Sequence, residues 1–388
     1  MGPYVLSRRK FLQTTIGAGA AAAAASLGPF AATALGKNGV LVPPGKRGII
    51  LFTVRDAITR DPLSTDLPSG FKEVFQYLAS VGYKQVEFAG YSQHVNAVGS
   101  EFGTGSGSTR NLGTSANDFA GPKFLRQLLD DYGLVANGNH GQIPSVLNET
   151  TIAQFRTACE VAAIIGQKYI GTGSDPTNSA QKEDWDAAAD RWNQLGAIAA
   201  EYGLKLYTHN HSPAYSFLQD GPMVTVTVDR ITGDPLPAPI MVRGESGIRR
   251  LEYFLQKTDP SLVYLEMDIY WAHVAQHQHR WYYDWEGQRR EAIFDPLALV
   301  AANTIRYPLF HAKDGRRTSD PPGVGNGYIF VPFGTGDIDY RGFFELMGAK
   351  GYHHPNYEQD NAPGGSANPG QSLEFARISY ENMAALRG

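Results

Sequence analysis

Apolar residues along the chain follow two alternating rhythms. Short runs of period two mark strands, and longer runs with apolar residues three and four apart mark helices. Residues 48–54 read as a strand. Residues 71–81, with Phe71, Val74, Phe75, Leu78 and Val81 apolar, read as a helix, and 85–89 as the next strand. The unit then recurs as helix 122–132 and strand 134–140, helix 152–165 and strand 169–174, and helix 184–202 and strand 204–211. Gly133, Gly166 and Gly203 stand where these helices should end, as expected of a residue that takes the left-handed conformation without strain. Val224, Val226 and Val228, alternating ahead of a Thr232-Gly233-Asp234 turn, predict a hairpin over 223–242. The rhythm resumes with helix 247–256, a strand from 264, helix 291–306, strand 307–313, helix 339–348, strand 352–359 and a last helix, 373–386. Eight strands alternating with helices predict an α/β fold: a (β/α)8 TIM barrel with a hairpin insertion after strand five.

The N-terminus breaks this rhythm. Ser7-Arg8-Arg9-Lys10-Phe11-Leu12 precedes an Ala-rich apolar run over 14–27, and Ala32-Thr33-Ala34 offers a cleavage site. Residues 1–34 therefore read as a twin-arginine signal peptide. Residues 35–47, with Pro43-Pro44-Gly45, read as a linker, and 48–388 as the barrel. This predicts export through the Tat machinery to the periplasm or beyond, with no membrane anchor after cleavage. The formal net charge of −4 gives no electrostatic case for nucleic acid. The single cysteine, Cys159, excludes an intramolecular disulfide and reads as a small buried residue.

In a (β/α)8 barrel the active site lies at the C-terminal ends of the strands. Those ends carry Arg55 and Asp56, Glu87, Asn139-His140, His209-Asn210-His211, Glu266 and Asp268, His311 and Lys313, and Glu358 and Asp360. Residues two apart share a strand face, so strands five to eight point imidazoles and carboxylates at one place. Two carboxylates on one face, as in the sequence YLEMDIYW at 264–271, need a proton, hydrogen bonds or a cation. His209, Asp268, His311 and Glu358 are the expected ligands of a divalent ion. Mixed N and O donors suit Mn, Co, Fe or Zn better than Ca, with Mg also open. Lys313, a cation, suits a substrate oxygen or proton transfer instead. Glu87, Arg55 and Trp271 are candidates for substrate contact, with Trp281 and Trp285 as further aromatics. Asp314-Gly315 reads as a turn.

The segments VEFAGY at 86–91, YTHNH at 207–211, EMD at 266–268, FHAKD at 310–314 and Tyr357-Glu358 resemble the xylose isomerase-like TIM-barrel superfamily, the group of sugar phosphate isomerases and epimerases. The resemblance runs from about Gly48 to the C-terminus. It implies a divalent metal at the ends of strands five to eight, on positions matched here by Asp268, His311 and Glu358. Ketose epimerases in this group usually carry Glu where this chain has His209, which puts a symmetric two-carboxylate mechanism in doubt. The resemblance further implies removal of an α-proton and a metal-stabilised enediolate. Glu358, Glu266 and His211 are candidate bases, and Lys313 or His140 the proton donor. The first expectation is an isomerase or epimerase of a non-phosphorylated sugar or keto sugar. The alternatives are a lyase or hydrolase that cleaves 3-keto glycosides by β-elimination, and a non-catalytic periplasmic sugar-binding barrel. Each takes a small carbohydrate and leaves a homo-oligomer open.

Overall fold

The computed structural model describes residues 39–318, 327–347 and 352–388. The expected signal peptide and the first residues of the expected linker lie outside the described residues. Eight parallel strands form one sheet: β1 Gly48–Ile50, β2 Gln85–Phe88, β3 Val135–Asn139, β4 Tyr169–Thr172, β5 Lys205–Thr208, β6 Val263–Asp268, β7 Leu309–Ala312 and β8 His354–Tyr357. Their order is β3-β2-β1-β8-β7-β6-β5-β4, so only β3 and β4 remain to meet. They meet through a parallel bridge between His140 and Gly171, with Gly141 N–H donating to the Gly171 carbonyl at 2.8 Å. The expected (β/α)8 barrel is therefore the observed one. Glycine is needed at 171, where a Cβ would lie 2.2 Å from the Tyr207 carbonyl oxygen.

The barrel interior is layered. Tyr169, Tyr207, Tyr264 and Leu309 pack together across the lower interior. Above them the filling turns polar: Glu87, Glu266, Asp268 and His311 are all 0% exposed. Register sets the heights. Asp268 pairs with His311, and His311 with Asn356, on successive strands. The apolar helix faces close the outside, with Phe71, Val74 and Phe75 on one helix and Trp185 and Trp192 on another.

Several elements differ from expectation. Strand one stops at Ile50. Leu51–Val54 is a 3₁₀ turn and Arg55–Thr59 a short helix, so Arg55 and Asp56 begin a helix rather than end a strand. The run is buried almost without a break, and continuous burial lacks the period that separates strand from helix. Strand six stops at Asp268, whose carboxylate accepts the Trp271 N–H at 2.9 Å and caps the helix Ile269–Gln278. That cap overrides the strand propensity of Ile269-Tyr270-Trp271. The expected helix 291–306 is divided into a hairpin strand Arg289–Glu291, a helix Pro296–Ala302 capped by Asp295, and a 3₁₀ turn Thr304–Arg306.

The insertion is longer than 223–242: Phe217–Val228 pairs with Pro235–Arg249. Its base is fixed by Arg249, which donates to the carbonyls of Tyr215, His279 and Ala292. Asp314-Gly315 is no turn but opens a hairpin, Asp314–Arg317 with Tyr328–Val331. The Asp314 carboxylate accepts N–H bonds from Gly315, Gly334 and Gly336 at 2.8–2.9 Å, which ties the returning chain to β7. In the expected linker, Leu41 and Val42 are buried, and Leu41 N–H reaches the Leu386 carbonyl.

Candidate active site and metal centre

The C-terminal ends of β2, β3 and β5–β8 converge on one buried cluster. His209 stands just past β5, with Nδ1 at 3.2 Å from Glu266 and Nε2 at 3.6 Å from Asp268. His311 on β7 places Nδ1 at 2.8 Å from Glu358, and Nε2 at 3.0 Å from Glu87 and 3.2 Å from Glu266. His140, past β3, has Nε2 at 2.8 Å from Glu266. Lys313 Nζ lies 2.8 Å from Asp268, 2.6 Å from Glu358 and 3.1 Å from Asp360.

Electrostatics follows from this packing. Burial pushes the Asp268 carboxyl up to about 7, although Lys313 beside it pulls the other way. Burial would raise Glu358 too, but Lys313 and His311 outweigh it and hold the carboxyl well below its usual range. For His311 burial opposes the charge, yet Glu266 and Glu358 prevail and keep it protonated well above its ordinary value. His140 and His211, dominated by burial, fall to about 4 and are neutral near pH 7. The carboxylates of Asp268 and Glu358 together hold the Lys313 ammonium charged.

Two overlapping groups of donors could hold a divalent ion. His209, Asp268, His311 and Glu358 are the four the sequence predicts. His140, His209, Glu266 and His311 form the second, and in each group all donor atoms lie within 4.8 Å of one another. A metal with ligand bonds of about 2.1 Å sets donors roughly 3–4 Å apart, so only slight contraction is required. The donor chemistry fits: imidazoles and carboxylates, with a Glu266 oxygen buried and lacking a hydrogen-bond partner. Bound metal would take the proton's place on His311.

The sequence profile of the xylose isomerase-like TIM barrel matches residues 75–358. The chain belongs to that family. Within it, this member is 26% identical over 239 residues to the inosose dehydratase of Lactiplantibacillus plantarum, covering 57% of this chain and 62% of that protein. It is 27% identical over 208 residues to that of Clostridium perfringens, covering 50% and 52%. The chain thus spans between half and two thirds of these relatives' length. Among solved structures, a sugar phosphate isomerase/epimerase from Parabacteroides distasonis superposes with TM-score 0.54 at 20% identity, over 88% of this chain and 94% of the other. A xylose isomerase domain-containing protein from Salmonella typhimurium gives 0.51 at 10%, over 90% and 99%.

The remaining sequence candidates occupy different depths of this barrel. Glu87 is sealed beneath the imidazoles, where Tyr207 OH and Asn356 Nδ2 donate to it. It is fully buried between the His311 imidazole, 3.0 Å away, and the Tyr207 hydroxyl. Arg55 donates to the carbonyls of Phe52 and Asp360, bracing the β8 loop at the rim. Trp271 forms a wall with His211, ring centroids 5.4 Å apart, and Lys313 lies 5.7 Å from its ring centre. Trp281 and Trp285 lie outside this wall, Trp281 in a hairpin strand beneath Arg289 and Trp285 beside Asp220 of the insertion.

Phe330 escaped the sequence reading. Its ring lies 5.9 Å from that of Trp271 and 5.6 Å from Lys313 Nζ, completing the wall from the 314–331 hairpin. The apolar, β-branched and aromatic run Tyr328–Val331 was the signal available. Asp175 also went unremarked. It follows β4, the strand end with no candidate, and accepts the His211 N–H at 2.8 Å. Burial pushes its carboxyl up to about 7.

Proposed function

We propose that the chain is a divalent-metal-dependent carbon–oxygen lyase acting on a polyhydroxylated keto sugar. The carrying observation is the inequality of the two sides of the cluster. On one side ionised Glu358 touches a cationic Lys313; on the other, His140 and His209 lean on Glu266. Epimerisation calls for matched groups on both faces of a carbon, whereas elimination calls for one base and one acid.

The residues that would hold the metal are His209, Asp268, His311 and Glu358, and the bound ion would polarise the substrate carbonyl as a Lewis acid. Glu358 takes the proton beside that carbonyl. Lys313 donates a proton to the departing β-oxygen, breaking its carbon–oxygen bond. With the two groups 2.6 Å apart, the proton on Glu358 restores the ammonium, so water or an alcohol leaves without net change in the protein. Trp271 and Phe330 offer flat surfaces to the apolar face of a sugar.

Further support comes from the relatives named as dehydratases. Lys313 is already surrounded by three carboxylates, an environment unsuited to a phosphate, and so favours a neutral substrate. We also propose export by the twin-arginine route, on the motif at residues 7–12, which places the reaction among non-phosphorylated sugars. An isomerase or epimerase is the second reading, because Glu266 supplies a further carboxylate across His311 from Glu358.

The test is incubation of the metal-loaded chain with a 3-keto glycoside and with a keto-cyclitol in D₂O. Release of alcohol or water with an unsaturated ketone is expected. An isomeric sugar carrying solvent deuterium, with no eliminated product, would replace the lyase reading by the isomerase one. Turnover of neither, with no metal retained, would leave a binding barrel.

A further inference from the structure

The helix Ile269–Gln278 carries His273 and His277 one turn apart, on one face. Their rings are 5.4 Å apart between centroids. Both aim Nε2 at one atom, the Tyr328 hydroxyl, at 3.1 Å from His273 and 3.2 Å from His277. Tyr328 belongs to another element, the returning strand of the 314–331 hairpin. We propose that His273, His277 and Tyr328 form a second site for a divalent transition metal, separate from the barrel-top cluster, which clamps that hairpin to the helix.

The chemistry is that of borderline ions. Two imidazoles four residues apart on a helix, joined by an oxygen from elsewhere, suit Zn²⁺, Cu²⁺ or Ni²⁺. A tetrahedral ion with bonds of about 2.0–2.1 Å holds its donors roughly 3.3 Å apart, close to the 3.1 and 3.2 Å from the Tyr328 oxygen to each imidazole. The two imidazoles are half-buried and Tyr328 is buried behind them, so an ion can reach the imidazoles while part of its shell is protein. Burial, with His277 and Arg317 nearby, lowers His273 to about 4, leaving the imidazole neutral for coordination. Asp337 acts on His273 in the opposite sense to Arg317, so that cation does not stand alone against an incoming ion. Binding would displace the phenol proton and exchange two hydrogen bonds for metal bonds.

The site has a reach beyond itself. The hairpin it fastens also carries Phe330, whose ring lies against Trp271, and the helix it fastens begins at the Asp268 cap. Occupancy would therefore hold the aromatic wall of the barrel mouth in place.

The test is metal titration of the full chain after chelator treatment, with Zn²⁺ by calorimetry and Cu²⁺ by absorbance. Wild type is expected to bind two equivalents, and the H273Q/H277Q double variant one. With Cu²⁺, wild type should show a phenolate-to-copper charge-transfer band that Tyr328→Phe abolishes, with at least a tenfold weaker second site. In H209A/D268N the second site should persist, which separates it from the barrel-top reading. Equal stoichiometry in wild type and H273Q/H277Q, or an unchanged spectrum in Tyr328→Phe, would overturn the proposal. So would a thermal shift by Zn²⁺ as large in H273Q/H277Q as in wild type, leaving a tyrosine hydrogen-bonded between two histidines.

Discussion

Lys313 is an ammonium held by three carboxylates and almost wholly shielded from water. Replacing it by Met keeps the volume of the stem and removes the charge. Lys313→Met is expected to lower kcat by about 10²–10⁴, the range for a lost proton donor, while metal content per chain stays unchanged. Elemental analysis beside turnover checks both halves, and loss of the metal would make Lys313 a structural counter-ion instead. Asp175 allows a cleaner electrostatic test, since Asn retains an acceptor for the His211 N–H. Its carboxyl is raised to about 7 by burial, so the folded chain holds a proton there that the unfolded chain has lost above about 4. Folding stability from this group therefore falls as pH rises from about 4 to about 7. Asp175→Asn is expected to melt with wild type near pH 4 and about 2 °C or more above it at pH 8. A difference that stays constant with pH would refute the assignment. Charged residues at strand ends were readable in the sequence because a barrel gathers them. Partners were not readable: alternation assigns Glu87 a face, and only the closed barrel brings His311 and Tyr207 from distant strands onto its carboxylate.

At the scale of elements, what could be read depended on whether a local signal was unique. Gly133 and Gly166 end their helices in left-handed conformations as expected. Asn148 accepts the Thr151 N–H at 2.9 Å while Thr151 returns a bond to Asn148, a reciprocal cap on the helix Glu149–Ile165. Asn148→Ala should cost about 1 kcal/mol, read as a lower urea midpoint with unchanged slope. No shift would mean that packing of Phe155 and Cys159 alone fixes that end. Where the signal was shared, the reading failed. The apolar stretch 48–54 suits strand and 3₁₀ turn equally, and Ile269-Tyr270-Trp271 favours a strand until Asp268 caps it. The hairpin 314–331 was hidden because Asp-Gly ordinarily closes a turn, and here Asp314 collects three backbone donors from further along the chain.

Over the whole molecule, the barrel's interior gathers more carboxyl groups than basic ones. Glu87, Glu266, Asp268 and Glu358 are buried against Lys313 and a protonated His311. Burying charge is costly, and a divalent ion offsets it. Metal at 100 times its dissociation constant should stabilise the chain by about 2.7 kcal/mol. Binding should also release protons, because His311 must give one up. Its raised affinity for that proton means metal binding strengthens as pH rises. Calorimetry in buffers of different ionisation enthalpy measures the release, and zero protons would place the ion away from His311. The barrel itself was legible from eight repeats of one rhythm.

The seam between β3 and β4 joins the wall of the cylinder to the cluster inside it. The residue that bridges it, His140, also touches Glu266 in the cluster. A chain that has joined seven of its strand pairs but not the eighth thus lacks part of its chemistry. Completeness of the cylinder and completeness of the cluster therefore rest on the same residue.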